Sequence, residues 1–266
     1  MNRLDPIVAA TREEVARRLQ ATPPDVLERA VAARAETDQP VRSFHAALAR
    51  PGLSVIAEHK RRSPSAGPIR EDLVLEEVVA AYERGGAAAL SILTDGPSFG
   101  GSLDDLRAAR RASGLPLLRK DFVVDSYQVH ESFAAGADAI LLIVAALSRE
   151  ALGRLHAEAA ALGLSVLVEV HDERELDTAL ELEAPIIGIN NRDLKTLEVD
   201  TRRTLELLPR VGIPTDPRPL LVSESGFSAP EQLRELARAG VNGVLIGEAL
   251  MRSPDIETAC RALTAL

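Results

Sequence analysis

Cysteine is almost missing from this chain of 266 residues, since Cys260 is the only one. A single cysteine excludes an intrachain disulfide and a cysteine-based zinc site. The sequence also shows no secretory signal peptide, and no apolar run approaches the roughly 20 residues that a membrane-spanning helix needs. Together these absences predict a cytoplasmic protein.

Aromatic residues are scarce as well, at 3% of the chain with no tryptophan. The core must therefore consist of Leu, Val, Ile and Ala, which suits a barrel filled with branched aliphatic side chains. The net charge of −9, from 31 basic and 40 acidic residues, argues against non-specific binding to nucleic acid or to a membrane surface, because both need a basic face. A small anionic substrate in a local basic pocket remains compatible with this charge.

Cofactor signatures are missing too. No G-x-G-x-x-G motif follows a predicted strand, so the dinucleotide fingerprint is absent. No group of histidine and acidic residues has the spacing of a metal site. We expect neither a cofactor nor a metal ion, and the site is expected to consist of side chains alone.

The first fifty residues contain helical signals of their own. Asp5-Pro6 is typical of an N-cap followed by proline at the first helical position, and predicts a helix to about Leu19. A second helix is predicted over 24–35 and a third over 44–50. Residues 1–52 are too few to bury a core, so we expect a helical extension that packs on the domain that follows.

From residue 53 onward one unit repeats, consisting of a short apolar run, a polar loop and an amphipathic helical stretch. The predicted strands are 53–58, 88–93, 115–119, 139–143, 165–169, 186–190, 219–223 and 243–246. The predicted helices are 71–85, 102–112, 126–135, 149–162, 172–182, 201–209, 228–239 and 256–265. This alternation indicates a parallel sheet with right-handed crossovers.

An open doubly wound sheet and a closed (β/α)8 barrel both accept eight such units. The chain length is close to the ~250 residues typical of the barrel, and the dinucleotide fingerprint of the open sheet is absent. We therefore predict a (β/α)8 TIM barrel over residues 53–266 with a helical N-terminal extension over residues 1–52.

The stretch VIAEHKRRSPSAG at 55–67 is the first candidate for chemistry. It changes from an apolar strand to polar residues at Glu58 and Lys60. Side chains alternate along a strand, so these two point to the same face. An acid and a base at the carboxyl end of a barrel strand lie where active sites of this fold are found.

Other predicted strands also end in polar residues on that rim. The full set is Glu58, Lys60, Lys120, Glu169, Asn190, Arg192 and Glu224. Each could be structural alone, for example through ion pairs of Glu58 with Lys60, Lys120 with Asp121, or Glu224 with Arg192. Seven polar groups that converge on one rim favour a functional site, because burying charge is costly.

A phosphate site is predicted from the last two loops. Gly226 follows strand seven and Gly247 follows strand eight, where backbone N–H groups of many barrels bind phosphate. Both glycines could instead serve only tight turns. Glu248 is an unsuitable side chain beside an anion, so only its backbone N–H is assigned to the site.

Six stretches of the chain resemble the indole-3-glycerol phosphate synthase family. They are IAEHKRRSPSAG at 56–67, LRKDFVVDSYQ at 118–128, LVEVHDERELDTAL at 167–180, GINNRDLKT at 188–196, VSESGFS at 222–228 and GVLIGEALMR at 243–252. They follow the order and spacing of the family over nearly the whole chain. The departures are His59, in a variable position, and Glu248, where some relatives have serine.

The resemblance implies a lyase of tryptophan biosynthesis. Such an enzyme closes the indole ring of 1-(2-carboxyphenylamino)-1-deoxyribulose 5-phosphate with loss of carbon dioxide and water. It implies that Lys120 is the general acid and that Glu169 and Glu58 transfer protons in the dehydration. Lys60 is expected to hold the substrate phosphate or carboxylate and is a second candidate for proton transfer, and Asn190 is expected to orient Glu169 or substrate hydroxyls.

The remaining residues carried over from the family line the substrate pocket. Ser63, Arg192, Glu224 and Ser225 are expected to contact the substrate, and Gly226, Gly247 and Glu248 the phosphate. Phe99, Phe122 and Leu194 are expected to form an apolar wall against the anthranilate ring.

Two alternatives remain open from the sequence. One is another phosphosugar-binding (β/α)8 enzyme, such as a phosphoribosylanthranilate isomerase, and the other is a barrel that binds phosphate without catalysis. The expected partner is a small phosphosugar, with no nucleic acid and no membrane, and the chain is expected to be a monomer or a weak homo-oligomer.

Overall fold

The computed structural model describes residues 4–37, 40–194, 196–211 and 218–265, so residues 1–3, 38, 39, 195, 212–217 and 266 of the predicted segments lie outside the described residues. Eight parallel strands form a closed barrel in which each strand pairs with its neighbours along the chain and the last pairs with the first. The strands are β1 (Ser54–His59), β2 (Ala89–Leu93), β3 (Leu117–Lys120), β4 (Ala139–Ile143), β5 (Ser165–Val170), β6 (Ile186–Asn190), β7 (Leu220–Glu224) and β8 (Gly243–Ile246). The predicted (β/α)8 barrel is confirmed.

Helices precede the barrel and alternate with its strands. They are α1 (Leu4–Ala21), α2 (Pro24–Ala35), α3 (Phe44–Leu48), α4 (Leu75–Arg84), α5 (Gly96–Phe99), α6 (Leu103–Ala112), α7 (Ser126–Ala135), α8 (Arg149–Ala161), α9 (Glu173–Glu181), α10 (Arg203–Val211), α11 (Pro230–Arg238), α12 (Glu248–Met251) and α13 (Ile256–Thr264). Most begin after a serine or aspartate whose side chain accepts a backbone N–H of the first turn, as an N-cap does. No helix in the described part of the chain is long and apolar enough to cross a membrane.

Several short elements lie where the sequence predicts only loops. An antiparallel pair, Arg62–Ser63 with Gly67–Pro68, follows β1, and α5 and α12 follow β2 and β8. Helix α10 also differs from its prediction, because it continues through Pro209 to Val211. Proline removes one backbone hydrogen bond from a helix, and α10 ends two residues after Pro209.

The alternation of side chains along the strands separates two apolar regions. In β1, Ile56 packs inside the barrel, whereas Val55 and Ala57 pack against the outer helices. Every second residue of a strand faces the same side, so the residue two positions after Ile56 also faces the barrel interior and lies at its carboxyl rim. Glu58 on β1 and Lys120 on β3 lie at that rim because of this period.

The N-terminal helices contact three parts of the barrel. Leu4 and Ile7 of α1 line the cavity at the carboxyl ends of the strands, and α2 packs along α7. Phe44 and Leu48 of α3 join the interior cluster from the opposite end. The division into an extension of residues 1–52 and a barrel of residues 53–266 stays a prediction.

A buried carboxylate joins the segment between α2 and α3 to the barrel. Asp138, directly before β4, is completely buried and accepts two contacts of 2.9 Å from Arg110 Nη1. It also accepts the backbone N–H groups of Arg42 at 2.8 Å and Leu117 at 2.9 Å. Arg110 in turn donates to the carbonyl of Pro40, so one carboxylate fixes several chain segments at this end of the barrel.

We predict that Asp138→Ala lowers the free energy of unfolding by about 3–5 kcal/mol, because it leaves a buried guanidinium and two N–H groups without their acceptor. Asp104→Ala is the control, since Asp104 pairs with Arg107 at the surface and its side chain is 89% exposed. That change should cost no more than about 1 kcal/mol. Urea unfolding followed by circular dichroism measures both, and equal losses would contradict the assignment.

Candidate active site

The carboxyl ends of the strands surround a cavity of about 390 Å³. All fifteen site residues predicted from the sequence line it: Glu58, Lys60, Ser63, Phe99, Lys120, Phe122, Glu169, Asn190, Arg192, Leu194, Glu224, Ser225, Gly226, Gly247 and Glu248. The strand ends bring them together from positions up to 190 residues apart in the sequence. Their place in the cavity does not by itself assign their roles in catalysis or binding.

Lys120 lies at the centre of the charged groups. Its Nζ is 3.5 Å from Glu169 Oε2 and 3.6 Å from Glu224 Oε2. The two carboxylate side chains are each 1% exposed, and that of Lys120 is 16% exposed. The alternative pairing of Lys120 with Asp121 is wrong, because Asp121 contacts Arg119 at 2.8 Å instead.

Glu58 and Lys60 form an ion pair, with 2.6 Å between Lys60 Nζ and Glu58 Oε1. Glu58 is buried, and Lys60 faces the cavity. Gly247 stands directly against this pair, since a Cβ there would lie 2.6 Å from Glu58 Oε1. Gly247 has a negative φ, so the room for Glu58, and not a left-handed turn, requires glycine at this position.

Mutual charge sets the protonation of the central groups. Burial by itself would lower the pKa of Lys120, but the neighbouring carboxylates, Glu169 first, outweigh burial and raise it. Burial by itself would raise the pKa of Glu169, but the Lys120 ammonium and His171 lower it below its ordinary value. Lys120 is therefore protonated and Glu169 ionised at neutral pH.

Glu224 behaves differently from Glu169. Burial and the negative charge of Glu169 raise the pKa of Glu224, and Lys120 only partly opposes them. Two buried carboxylates beside one ammonium cannot both ionise easily. The pair consequently holds a proton that can be moved, which suits acid–base chemistry.

Asn190 organises the end of β6. Its Oδ1 accepts the backbone N–H of Arg192 at 3.0 Å and the hydroxyl of Ser225 at 2.9 Å, and its amide helps to lower the pKa of Glu169. Arg192 donates to the carbonyl of Leu197 at 3.0 Å, so its suggested pairing with Glu224 is not the contact that the structure shows.

One wall of the cavity is apolar. Phe99, Phe122 and Leu194 belong to one cluster, as the resemblance implies, and Leu4 and Ile7 of α1 join it. Leu4 and Ile7 are not among the predicted site residues, because nothing in residues 4–7 themselves shows that α1 covers the strand ends 50 or more residues later. Their apolar character was one signal, and the likeness of the N-terminal extension to that of the resembled family, where it covers part of the catalytic face, was another.

The two glycine loops face the cavity beside α12. Gly226 has φ +93°, and a Cβ there would lie 2.7 Å from Val199 and Thr201. The carboxylate of Glu248 accepts a hydrogen bond of 2.9 Å from Arg252 Nε, so its negative charge is paired with a cation. Arg252 lines the cavity and is a further basic residue that the sequence analysis did not single out.

The loop after β1 carries Ser63 to the cavity. Ser63 is buried, and its hydroxyl accepts the N–H of Ala66 at 3.1 Å. The loop is fixed by Arg61, which forms two hydrogen bonds of 2.7 and 2.8 Å with Asp105 of α6. Ser63 thus lines the cavity from a loop that the Arg61–Asp105 contact holds in place.

Arg119, next to Lys120, was also missed. Its side chain is completely buried on the outer side of β3 and lies 2.8 Å from Asp121 and 2.9 Å from Glu131. Glu131 also contacts Arg18 of α1 at 2.7 Å. This network links the strand that carries Lys120 to the helix that covers the cavity. Within the described residues, no group of three or more His, Cys, Asp or Glu side chains could hold a metal ion.

Solved structures share this barrel at low sequence identity. A 3-hexulose-6-phosphate synthase from Salmonella typhimurium matches with a TM-score of 0.60 and 13% identity, over 80% of this chain and 97% of that one. A thiamine phosphate pyrophosphorylase from Pyrococcus furiosus matches with a TM-score of 0.57 and 18% identity, over 83% and 96% of the two chains. These likenesses show the fold alone. The fold and the charged cavity at its carboxyl rim define a (β/α)8-barrel enzyme.

Sequence comparison identifies the family. The family model described as indole-3-glycerol phosphate synthase matches residues 4–263. The protein of that name from Azoarcus sp. strain BH72 is 48% identical over 98% of both chains, and that from Nocardioides sp. strain JS614 is 47% identical over 100% of this chain and 99% of the relative. The chain therefore belongs to the indole-3-glycerol phosphate synthase family, and it is a carbon–carbon lyase of the carboxy-lyase class.

We predict that Gly188→Ala lowers catalytic turnover at least tenfold, because a Cβ on this inward-facing residue of β6 would overlap Glu224 Oε1. Displacing that carboxylate changes the charge around Lys120, and a misplacement of about 1 Å can cost ~10²-fold. The control is Gly153→Ala in α8, where the nearest side-chain atom lies 4.0 Å from the added Cβ. Initial rates of the two variants decide the point, and full activity of Gly188→Ala would show that the position of Glu224 is unimportant.

Proposed function

We propose that the cavity closes the indole ring of 1-(2-carboxyphenylamino)-1-deoxyribulose 5-phosphate, with loss of carbon dioxide and water, as a step of tryptophan biosynthesis. The family assignment supports the reaction. The single observation that supports the assignment of roles is the buried Lys120 ammonium held beside Glu169 and Glu224.

Lys120 acts as the general acid of ring closure. The ring carbon that bears the carboxylate attacks the ketone carbon of the sugar chain, and the carbonyl electron pair moves to oxygen. A proton from the Lys120 ammonium neutralises that oxygen as the charge develops. The new carbon–carbon bond leaves the attacking ring carbon bonded to both the carboxylate and the sugar chain.

Decarboxylation and dehydration follow from that intermediate. The bond to the carboxylate breaks, carbon dioxide leaves, and its electron pair restores the aromatic ring. The former ketone oxygen then leaves as water while a carboxylate removes a proton from the adjacent methylene group. We assign Glu169, which is ionised and lies next to Lys120, as the base that removes this proton. The pair of Glu58 and Lys60 delivers a proton to the leaving hydroxyl.

The use of lysine supports these roles. Only three of the 31 basic residues Lys and Arg are lysines, and two of them, Lys60 and Lys120, line the cavity. Arginine remains protonated in proteins and serves as a fixed charge, whereas lysine can give up its proton. The chain thus has lysine at the two cavity positions where proton transfer is required, although arginine is its usual cation.

The substrate fits the remaining walls. The apolar wall of Phe99, Phe122 and Leu194 suits the anthranilate ring, and the loops of Gly226 and Gly247 with the backbone N–H of Glu248 suit the phosphate. Ser63, Arg192 and Ser225 supply polar contacts between these ends. The expected monomer or weak homo-oligomer and the expected cytoplasmic location stay predictions from the sequence.

Lys120→Met should reduce turnover by ~10²–10⁴-fold, the contribution of a general acid. Lys120→Arg keeps a positive charge that cannot donate its proton, so we expect a similar loss. Rising indole fluorescence during incubation with the substrate measures turnover. Near-normal turnover of Lys120→Arg would mean that Lys120 acts only as a fixed charge. Absence of turnover in the unmodified chain would support a barrel that binds a phosphosugar without this chemistry.

Gly226→Ala should raise KM at least fivefold with a smaller effect on kcat, because it crowds Val199 and Thr201 and shifts the loop assigned to phosphate. Gly240→Ala is a matched control, since Gly240 has a similar φ of +86° but open space around it. Both variants carry the strain of a positive φ. An equal rise of KM in the two variants would contradict the assignment of the Gly226 loop to phosphate binding.

A further inference from the structure

The described residues contain one histidine in contact with the central acid–base groups. His171 follows β5 two residues after Glu169, and its side chain is 11% exposed. Its Nε2 lies 3.3 Å from Glu169 Oε1, and its Nδ1 lies 3.0 Å from Glu175 Oε2 in the first turn of α9. The ring thus stands between a carboxylate of the cavity and a carboxylate of the helix layer.

We propose that His171 is a positioning residue for the reaction, an imidazolium that pairs with Glu169 Oε1 and leaves Glu169 Oε2 free to face Lys120 and the substrate. The proposal rests on the proposed function, in which Glu169 is a base. His171 orients and charges the surroundings of Glu169, and Glu175 in turn holds His171 in place.

The two oxygens of Glu169 have different neighbours. Oε1 lies beside His171, whereas Oε2 lies 3.5 Å from Lys120 Nζ. A carboxylate that is held by one oxygen loses the freedom to rotate, so its other oxygen keeps a defined direction. That oxygen points to the group from which the proton transfer begins.

The charge of the ring follows from its neighbours. Carboxylates only accept hydrogen bonds, and a neutral imidazole donates from a single nitrogen. A histidine that faces a carboxylate with each nitrogen can satisfy both only as the imidazolium. Burial alone would lower the pKa of His171, but the nearby carboxylates of Glu169 and Glu175 raise it to about 10. Glu224 of β7 is the third acidic group that the charge of His171 reaches.

Glu175 is itself held for this contact. Its Oε2 also accepts the backbone N–H of His171 at 2.8 Å, and its own N–H is capped by Asp172 at 2.9 Å. The start of α9 therefore fixes the ring from both its backbone and its side chain.

A stable cation beside Glu169 has a specific use in this reaction. Once Lys120 has given its proton to the ketone oxygen, it no longer balances the charge of Glu169. His171 remains as a positive neighbour and keeps Glu169 ionised for the later removal of a proton. A side chain with only a structural role would leave the ionisation of Glu169 unchanged.

The experiment compares pH profiles of kcat and kcat/KM for His171→Gln and Glu175→Gln. Removing the imidazolium raises the pKa of Glu169, so we expect the acidic limb of both profiles to move upward by about one pH unit. We also expect kcat to fall about tenfold, less than the ~10²–10⁴-fold of a direct acid–base group. Glu175→Gln, which keeps an acceptor for the ring but removes its charge, should shift the limb in the same direction by less.

The matched controls are His130→Gln and Glu173→Gln. His130 contacts the carbonyl of Ser126 at 3.0 Å, and Glu173 pairs with Arg210 at the surface at 2.7 Å. Neither should move the limb. If His171→Gln does not fold, Glu175→Gln decides the question alone. Normal turnover of the unmodified chain with unshifted profiles in both test variants would overturn the proposal, whereas no turnover in the unmodified chain would overturn the proposed function instead.

Discussion

The rest of the site depends on one interaction, the buried Lys120 ammonium among carboxylates. A buried ammonium is stable only if opposite charge is close to it, and three buried carboxylates without a cation would repel one another. Lys120 therefore ties β3 to β5 through Glu169 and to β7 through Glu224, and the charge of Glu58 on β1 adds to the same cluster. The closed barrel is the element that holds these strand ends at fixed distances.

Around that centre, arginine and lysine side chains have different roles. Arginine serves the contacts that hold the structure, such as Arg110 with Asp138 and Arg119 with Asp121. Its planar group forms several hydrogen bonds and keeps its charge. Two of the three lysines of the chain, Lys60 and Lys120, line the cavity. The same distinction explains why Lys120 and the adjacent Arg119 point to opposite sides of β3 and have different environments.

The sequence was sufficient for the barrel because its signals are local. Strands such as 139–143 and 186–190 are short apolar runs between polar loops, and their bounds agree with β4 and β6. The rim of the site followed from the period of two, which places Glu58 and Lys120 at strand ends that face inward. The identities of Phe99, Phe122 and Leu194 as cavity residues came from the family resemblance.

Contacts between distant segments could not be predicted in this way. Leu4 and Ile7 reach the cavity only because α1 folds over the barrel, and a sequence pattern gives no direction for such a helix. Arg119 is the neighbour of Lys120 in the sequence, but its partner Glu131 lies on a separate helix, α7. His171 shared a face with Glu169 by the period of two, but its second contact with Glu175 depends on where α9 begins.

The most direct measurement is the titration of the lysine side chains by NMR, in protein labelled with carbon-13 at lysine. The chain has only three lysines, so the signals are few and Lys120→Met assigns one of them. The account predicts that Lys120 titrates above the ordinary lysine value of 10.5, because the carboxylates of Glu169, Glu224 and Glu58 outweigh its burial. A pKa of Lys120 below 10.5 would show that burial dominates and would contradict the account.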